Sequence, residues 1–203
     1  MEDRKQGLRA KASWVRESLP RSQAYKLGRL VEEAAIGFAP YLDARSVGLY
    51  RAIGNEVSTD RIMGHAVRSG KVVYYPGSAD AKDPFLIRLR SARDSAARSS
   101  DIPESVGDPM QTECDPEGLV VFIPGLAFDF FGARLGRGRG WYDRLLAKLR
   151  RATRVGLAYE FQLLDEIPVD ALDERVHYLI TESRIIDCRA AAAAKGEVRL
   201  NQE

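Results

Sequence analysis

Apolar residues recur at helical spacing from the start of the chain. Leu8, Ala12, Val15 and Leu19 form one stripe that Pro20 interrupts, and Leu27, Leu30, Ala34 and Phe38 form a second before Pro40, which predicts two N-terminal helices. The period then changes. SVGLY at Ser46 to Tyr50 reads as a buried strand, Ser58 or Thr59 can cap a helix running through Val67, and Lys71 to Pro76 reads as the next strand. Phe85, Ile87 and Leu89 alternate as in a half-exposed strand, whereas Ser91 to Asp108 is polar, rich in small residues and predicted to be loop. Successive apolar positions in GLVVFIP, Gly118 to Pro124, predict a strand covered on both faces. Tyr142, Leu145, Leu146 and Leu149 mark one face of a further helix, Arg154 to Tyr159 and His177 to Thr181 read as strands, and Arg184 to Asp187 pairs with the last of them. The alanine-rich stretch after Cys188 predicts a frayed or weakly helical tail.

Strands alternating with helices predict an α/β fold. We expect a single three-layer domain over residues 1–188, with a mainly parallel, Rossmann-like central sheet flanked by helices, followed by a C-terminal tail at 189–203. A chain of 203 residues, 45% apolar, is long enough to bury one such core.

Charge narrows the partners. Thirty-one basic and twenty-nine acidic residues nearly cancel, so no global field holds the protein on nucleic acid or an anionic membrane, and any anion must be met by local clusters. No nucleic-acid or membrane partner is therefore expected; the chain is taken to be a monomer or weak homo-oligomer. Two thiols, Cys114 and Cys188, no signal peptide and no apolar run near the roughly 20 residues of a membrane span point to a reducing, cytoplasmic setting. With His65 and His177 the only histidines, no zinc constellation is expected.

The chemistry concentrates in PGLAFDFFGARLGRGRGWYDRLL, which begins at Pro124. Gly136, Gly138 and Gly140 lack a Cβ and let backbone N–H groups turn toward an anion, while Arg134, Arg137 and Arg139 supply positive charge. The loop joins the carboxyl end of a strand to the N-terminus of a helix, where open parallel sheets bind ligands. It is not a Walker A sequence, nor the GxGxxG fingerprint, because Trp141 stands where the third glycine would be. As a bare pattern it is either a phosphate cradle or an exposed turn with solvated arginines. Asp143, in the first turn of the helix, either complements the helix dipole or holds magnesium beside phosphate. Lys5, Arg9 and Arg16 share a sector of the first helix beside its apolar stripe, where cations are usually solvated. Glu56, in RAIGNEVSTD, either orients an amine-bearing ligand or merely precedes the helix cap.

Taken together these segments resemble the 5-formyltetrahydrofolate cyclo-ligase family, also called methenyltetrahydrofolate synthetases. The resemblance is carried by KQGLR at Lys5 to Arg9, GLYRAIGNEVST at Gly48 to Thr59, the long glycine-arginine block, GLAYEFQLLDEIPVDALDERV at Gly156 to Val176 and LITE at Leu179 to Glu182. It implies ATP-dependent cyclisation of 5-formyltetrahydrofolate to 5,10-methenyltetrahydrofolate with release of ADP and phosphate, in one-carbon metabolism. ATP would be the co-substrate and Mg2+ the metal. Carried over by position, it implies that Lys5, Arg9 and Arg134 bind the ATP phosphates and that Arg51 and Glu56 contact the folate. Gly136, Arg137, Gly138, Arg139, Gly140, Trp141 and Tyr142 would surround the nucleotide, those from Arg137 to Trp141 also the reacting formyl group, with Arg137 and Arg139 catalytic. Asp143 and Asp173 would be the magnesium carboxylates. Trp141 stands for the family's usual tyrosine and lacks its hydroxyl, Arg139 stands where lysine is common, His177 where aspartate is frequent, and DIPES at Asp101 to Ser105 approximates GIPEP. Alternatives are a paralogue that activates another N-formyl compound with ATP, and a non-catalytic nucleotide- or RNA-binding homologue. Since the implied chemistry forms no covalent protein intermediate, the histidines and cysteines are expected to be structural.

Overall fold

In a computed structural model, residues 2–77, 83–89, 107–109 and 118–200 are described. Strand β5 (Leu119–Ile123) is buried at every position and lies between β1 (Ser46–Gly48) and β8 (Thr153–Leu157), both parallel to it. Its side chains alternate between layers: Val120 and Phe122 enter one core, Leu119, Val121 and Ile123 the other. The continuous apolar run is thus explained by cover on both faces. Strands β2 (Val72–Pro76) and β10 (Tyr178–Ile180) extend the parallel set outward, giving β2-β1-β5-β8-β10. Antiparallel strands finish both edges: β3 (Leu86–Leu89) and β4 (Gly107–Pro109) beyond β2, and β11 (Ile185–Asp187) beyond β10. The eight-stranded sheet is therefore mainly parallel.

Helices cover both faces. Against one pack α2 (Arg21–Ile36), α3 (Ala39–Asp43) and α4 (Asp60–Arg68), through residues such as Val31, Tyr41, Ile62 and Ala66. Against the other pack α5 (Trp141–Lys148), through Trp141, Leu145 and Leu146, and the start of α6 (Cys188–Leu200) through Cys188. Counted along the chain, the parallel strands have the order 2-1-3-4-5. The chain leaves β1 for α4 on one face and β5 for α5 on the other, which opens a crevice between their carboxyl ends.

A second sheet was not expected. Strands β6 (Ala127–Asp129), β7 (Arg134–Leu135) and β9 (Leu163–Leu164) form a three-stranded ribbon that packs with Ile167 against Leu8 and Ala12 of α1 (Glu2–Glu17). The β6–β7 turn is organised by the buried Asp129, whose Oδ1 accepts the N–H groups of Phe131 and Ala133 at 2.9 Å each and whose Oδ2 accepts that of Ile167 at 3.0 Å. Gly132 completes it at φ 83°; a Cβ there would stand 2.3 Å from the Val176 carbonyl oxygen.

Several local expectations change. The buried face of α2 is Ala24, Gly28, Val31, Glu32 and Ala35, and Leu30 is exposed, because two small residues let Tyr159 approach closely enough to donate to the Ala24 carbonyl. In α1 the stripe is only half-buried and the fully buried residues are Lys5 and Arg16. At α4 it is the Ser58 hydroxyl that accepts the Asp60 N–H, while Thr59 donates to the Tyr50 carbonyl. In β3 Leu86 and Ile87 are buried in succession while Arg88 is exposed, so the strand is half-exposed but without the expected alternation. Most of 91–108, with DIPES, and Cys114 lie outside the described residues, but the end of that segment forms β4, a position at the sheet edge that tolerates Pro109. After Cys188 the backbone is helical to Leu200.

Candidate active site

The crevice between β1 and β5 opens into a cleft of about 980 Å³. Its floor comes from residues just past the strand ends, Tyr50 and Arg51 after β1, Tyr75 and Pro76 at the end of β2, and Pro124 and Gly125 after β5. The glycine-arginine loop, the first turn of α5, α1 and the segment around Asp170 to Asp173 complete its lining. The fourteen residues to which the resemblance assigns a role line this one cleft: Lys5, Arg9, Arg51, Glu56, Arg134, Gly136, Arg137, Gly138, Arg139, Gly140, Trp141, Tyr142, Asp143 and Asp173; Arg16, the third cation singled out on the first helix, does not.

The loop needs its glycines. Gly140 caps α5 in the left-handed region at φ 60°, and Gly138 stands at φ 95°. Side chains rarely adopt such angles, and their absence leaves the backbone open to an approaching anion. A Cβ at Gly138 would lie 3.6 Å from the Arg9 guanidinium, whose Nε donates to the Gly136 carbonyl at 3.1 Å, so the loop is bound to α1 through its backbone.

Cations and carboxylates in the cleft are matched to each other. Lys5 Nζ donates to Asp170 Oδ2 at 3.0 Å and to Asp173 Oδ2 at 2.5 Å. Burial opposes the charge on Lys5, but the bonds to Asp173 and Asp170 outweigh it and hold its pKa above the usual lysine value. The bond from Lys5 correspondingly holds the Asp170 carboxyl below its ordinary range. Arg134 Nη2 donates to both oxygens of Asp143, at 3.0 and 2.9 Å, and its guanidinium lies 5.4 Å from the centre of the Tyr142 ring. Burial pushes the Tyr142 phenol well above its usual pKa, so it is a neutral donor at neutral pH. Glu56 Oε1 takes Arg137 Nη2 at 3.2 Å and lies 3.4 Å from Arg16 Nη2. Arg51 lies over the Tyr75 ring at 5.7 Å. Arg139 is exposed, and its carbonyl accepts a bond from Arg144.

Trp141 belongs to the core as much as to the cleft: it is 9% exposed, packs with Leu145 and Leu146, and meets Tyr142 edge-on at 5.0 Å. Its indole is held in place by packing rather than offered as an open face. Sequence reasoning missed Asp170, which shares the Lys5 ammonium with Asp173; a second carboxylate three residues before Asp173 was the only available signal. His65, bonded to the Tyr41 hydroxyl, and His177, whose Nδ1 accepts the Arg154 N–H, do not line the cleft, nor does the buried Cys188.

Among the described residues no group of three or more His, Cys, Asp or Glu side chains is gathered as a metal cage. Asp143 and Asp173 do face the cleft, 17% and 21% exposed, beside the cationic wall. That donor set fits magnesium arriving on phosphate oxygens, which needs only one or two protein carboxylates, and does not fit a resident all-protein site. Among the described residues no helix is long and apolar enough to cross a membrane.

Comparison with known proteins agrees with the geometry. The model of the 5-formyltetrahydrofolate cyclo-ligase family matches residues 1–182. The chain is 28% identical over 189 residues to the 5-formyltetrahydrofolate cyclo-ligase of Mus musculus, covering 88% of this chain and 93% of that one. It is 27% identical over 176 residues to that of Haemophilus influenzae, covering 84% and 93%. Its fold is similar to the NMR structure of Aquifex aeolicus 5,10-methenyltetrahydrofolate synthetase, with a TM-score of 0.76 at 28% identity over 91% of this chain and 93% of that one.

Proposed function

Because the chain belongs to the 5-formyltetrahydrofolate cyclo-ligase family, we propose that it catalyses ATP-dependent closure of 5-formyltetrahydrofolate to 5,10-methenyltetrahydrofolate, releasing ADP and phosphate. The observation that carries this reading is the convergence of the glycine-arginine loop, the α5 N-terminus and the Lys5, Arg9 and Arg134 cations on one cleft at the sheet's switch point.

A formyl group on nitrogen is a weak electrophile with a poor leaving oxygen, and phosphorylation remedies both. The formyl oxygen attacks the γ-phosphorus and ADP leaves. N10 then adds to the activated carbon, loses its proton, and orthophosphate departs with the former formyl oxygen, leaving the methenyl bridge. The protein's share is alignment and charge stabilisation. Lys5, Arg9 and Arg134 would neutralise the phosphates, the α5 N-terminus and the loop amides would cradle them, and Arg137 and Arg139 would meet charge developing on the transferred phosphoryl group. Asp143 and Asp173 would hold a phosphate-borne magnesium ion, whose charge offsets that of the nucleotide. Glu56 would accept N–H groups of the pterin and Arg51, in the same loop after β1, would contact the folate. Seating the triphosphate exchanges internal partners for external ones, since Arg134 and Lys5 already hold Asp143 and the Asp170/Asp173 pair. We place this activity in the cytoplasm.

The test is direct: purified protein with 5-formyltetrahydrofolate, ATP and magnesium develops methenyltetrahydrofolate absorbance, and loses that activity on chelation or omission of ATP. Folded protein that neither binds the reduced folate nor turns it over overturns the reading; turnover of a different N-formyl compound in a substrate panel assigns it to the paralogue alternative.

A further inference from the structure

Arg16 carries its charge inside the fold. Its side chain is 3% exposed, yet from α1 it reaches both sides of the crevice: Nη1 donates to the Gly125 carbonyl at 3.1 Å, just past β5, and Nη2 lies 3.4 Å from Glu56 Oε1, beyond β1. Its backbone is engaged as well, since Asn55 Nδ2 donates to the carbonyls of Arg16 and Leu19 at 3.1 and 2.7 Å. The Glu56 loop is thus fastened to the end of α1 by two side chains. Arg16 Nε is buried with no hydrogen-bond partner.

Such a group is a poor device for stability, because desolvating a guanidinium and leaving one N–H unpaired offsets most of what the ion pair returns. An apolar side chain would fill the same volume. What only a cation can do here is grip a carboxylate from behind. Glu56 Oε2 is held by the Ile53 N–H at 3.0 Å, and Oε1 is shared between Arg16 and Arg137. Those two partners differ in kind. Arg137 is 52% exposed on the glycine loop and is readily exchanged for a ligand N–H, whereas Arg16 is fixed in the wall.

We propose that Arg16 is a positioning residue for the folate side of the cleft: by clamping Glu56 and the Gly125 carbonyl together, it fixes the carboxylate that receives the N–H groups of the substrate's amine-bearing ring. This rests on the reading of the cleft as a reduced-folate site. Neither the burial pattern nor the charge of Arg16 is needed for the phosphate wall, which lies with Lys5, Arg9 and Arg134. The effect of removing it should therefore divide between the two substrates.

The experiment compares wild type, Arg16→Met, Glu56→Gln and the double variant by calorimetric binding of 5-formyltetrahydrofolate and, separately, of a non-hydrolysable ATP analogue with magnesium. Arg16→Met is expected to weaken folate about tenfold or more while nucleotide stays within about twofold, and to raise the folate KM with the ATP KM held. The double variant is expected to bind folate no worse than Glu56→Gln alone, since the clamp has nothing left to position. Wild-type folate affinity in Arg16→Met, equal losses for both ligands, or additive losses in the double variant each overturn the proposal. If Arg16→Met lacks a cooperative thermal transition, Arg16→Lys replaces it: its ammonium keeps the charge but cannot span Gly125 and Glu56 together, and undiminished folate affinity there overturns the clamp. A wild type that binds nucleotide but no reduced folate refutes the underlying reading instead, and does so before any variant is made.

Discussion

Replacing Arg134 with methionine separates what the Arg134–Asp143 pair does for folding from what it does for chemistry. The Arg134 side chain is 5% exposed and the Asp143 side chain 17%, and apart from the two bonds from Arg134 the carboxylate has the Glu174 N–H at 3.4 Å. Methionine keeps most of the volume but strands a largely buried carboxylate, which costs about 2–4 kcal/mol, below the top of the range because water reaches part of Asp143. For a chain of this size each kcal/mol lowers the thermal midpoint by about 2–4 °C, so the midpoint should fall by about 5–15 °C. Adding Asp143→Leu removes the stranded charge, and the double variant should recover to within about 1 kcal/mol of wild type. Turnover should not recover: both variants lack a phosphate ligand, and kcat/KM for ATP should drop by about a hundredfold or more in each. Circular dichroism melts and the methenyl absorbance assay read the two quantities independently. An Arg134→Met variant that melts with the wild type, or a double variant that retains wild-type turnover, would refute the reasoning.

Arg137→Ala should abolish turnover while moving the melting point by no more than about 2 °C, since a half-exposed arginine contributes little to folding; a large loss of stability would mean that the loop is structural. Gly132→Ala should destabilise the protein by about 2–5 kcal/mol, combining a left-handed backbone with a Cβ only 2.3 Å from the Val176 oxygen, whereas Gly7→Ala, with nothing within 4 Å on a helix surface, should stabilise it by up to about 1 kcal/mol. Matched melts of the two variants check both signs. Burial and the neighbouring Arg154 hold the His177 pKa below 6.5, so the unfolded chain takes up that proton first. Stability should be fully present above pH 6.5 and decline as pH falls through the native value, and His177→Gln should flatten that part of the pH profile. An unchanged profile would show that His177 does not titrate with unfolding.

Some of this was readable in the chain and some was not, for identifiable reasons. Leu119 to Ile123 announce themselves because a strand covered on both faces has no polar position, and Tyr142 to Leu149 because their spacing matches one helical face. The α2 face was only partly legible: Phe38 is buried and Leu27 and Ala34 pack against the core, but Leu30 is exposed, because the centre of the face depends on Ala24 and Gly28, whose value is smallness against Tyr159 rather than hydropathy. The ribbon of β6, β7 and β9 escaped because two- and three-residue strands show no alternation, and its organiser is a buried carboxylate. In the cleft, the residues given a role by the resemblance do line it, but their pairings were not legible: Lys5 meets Asp170 and Asp173 across 165 and 168 residues, and only the fold brings them together. The burial of Arg16 was hidden for the same reason.

The mutual matching of cations and carboxylates also governs which solutes the cleft will ignore. To reach Arg134 or Lys5, chloride or free orthophosphate would have to evict Asp143 or the two aspartates, and would leave those acids stranded in return. A divalent cation carried on a polyphosphate brings both signs at once and leaves no such deficit. At these two buried cations, a guest that brings its own counterion would therefore be favoured over a bare anion on electrostatic grounds rather than by shape.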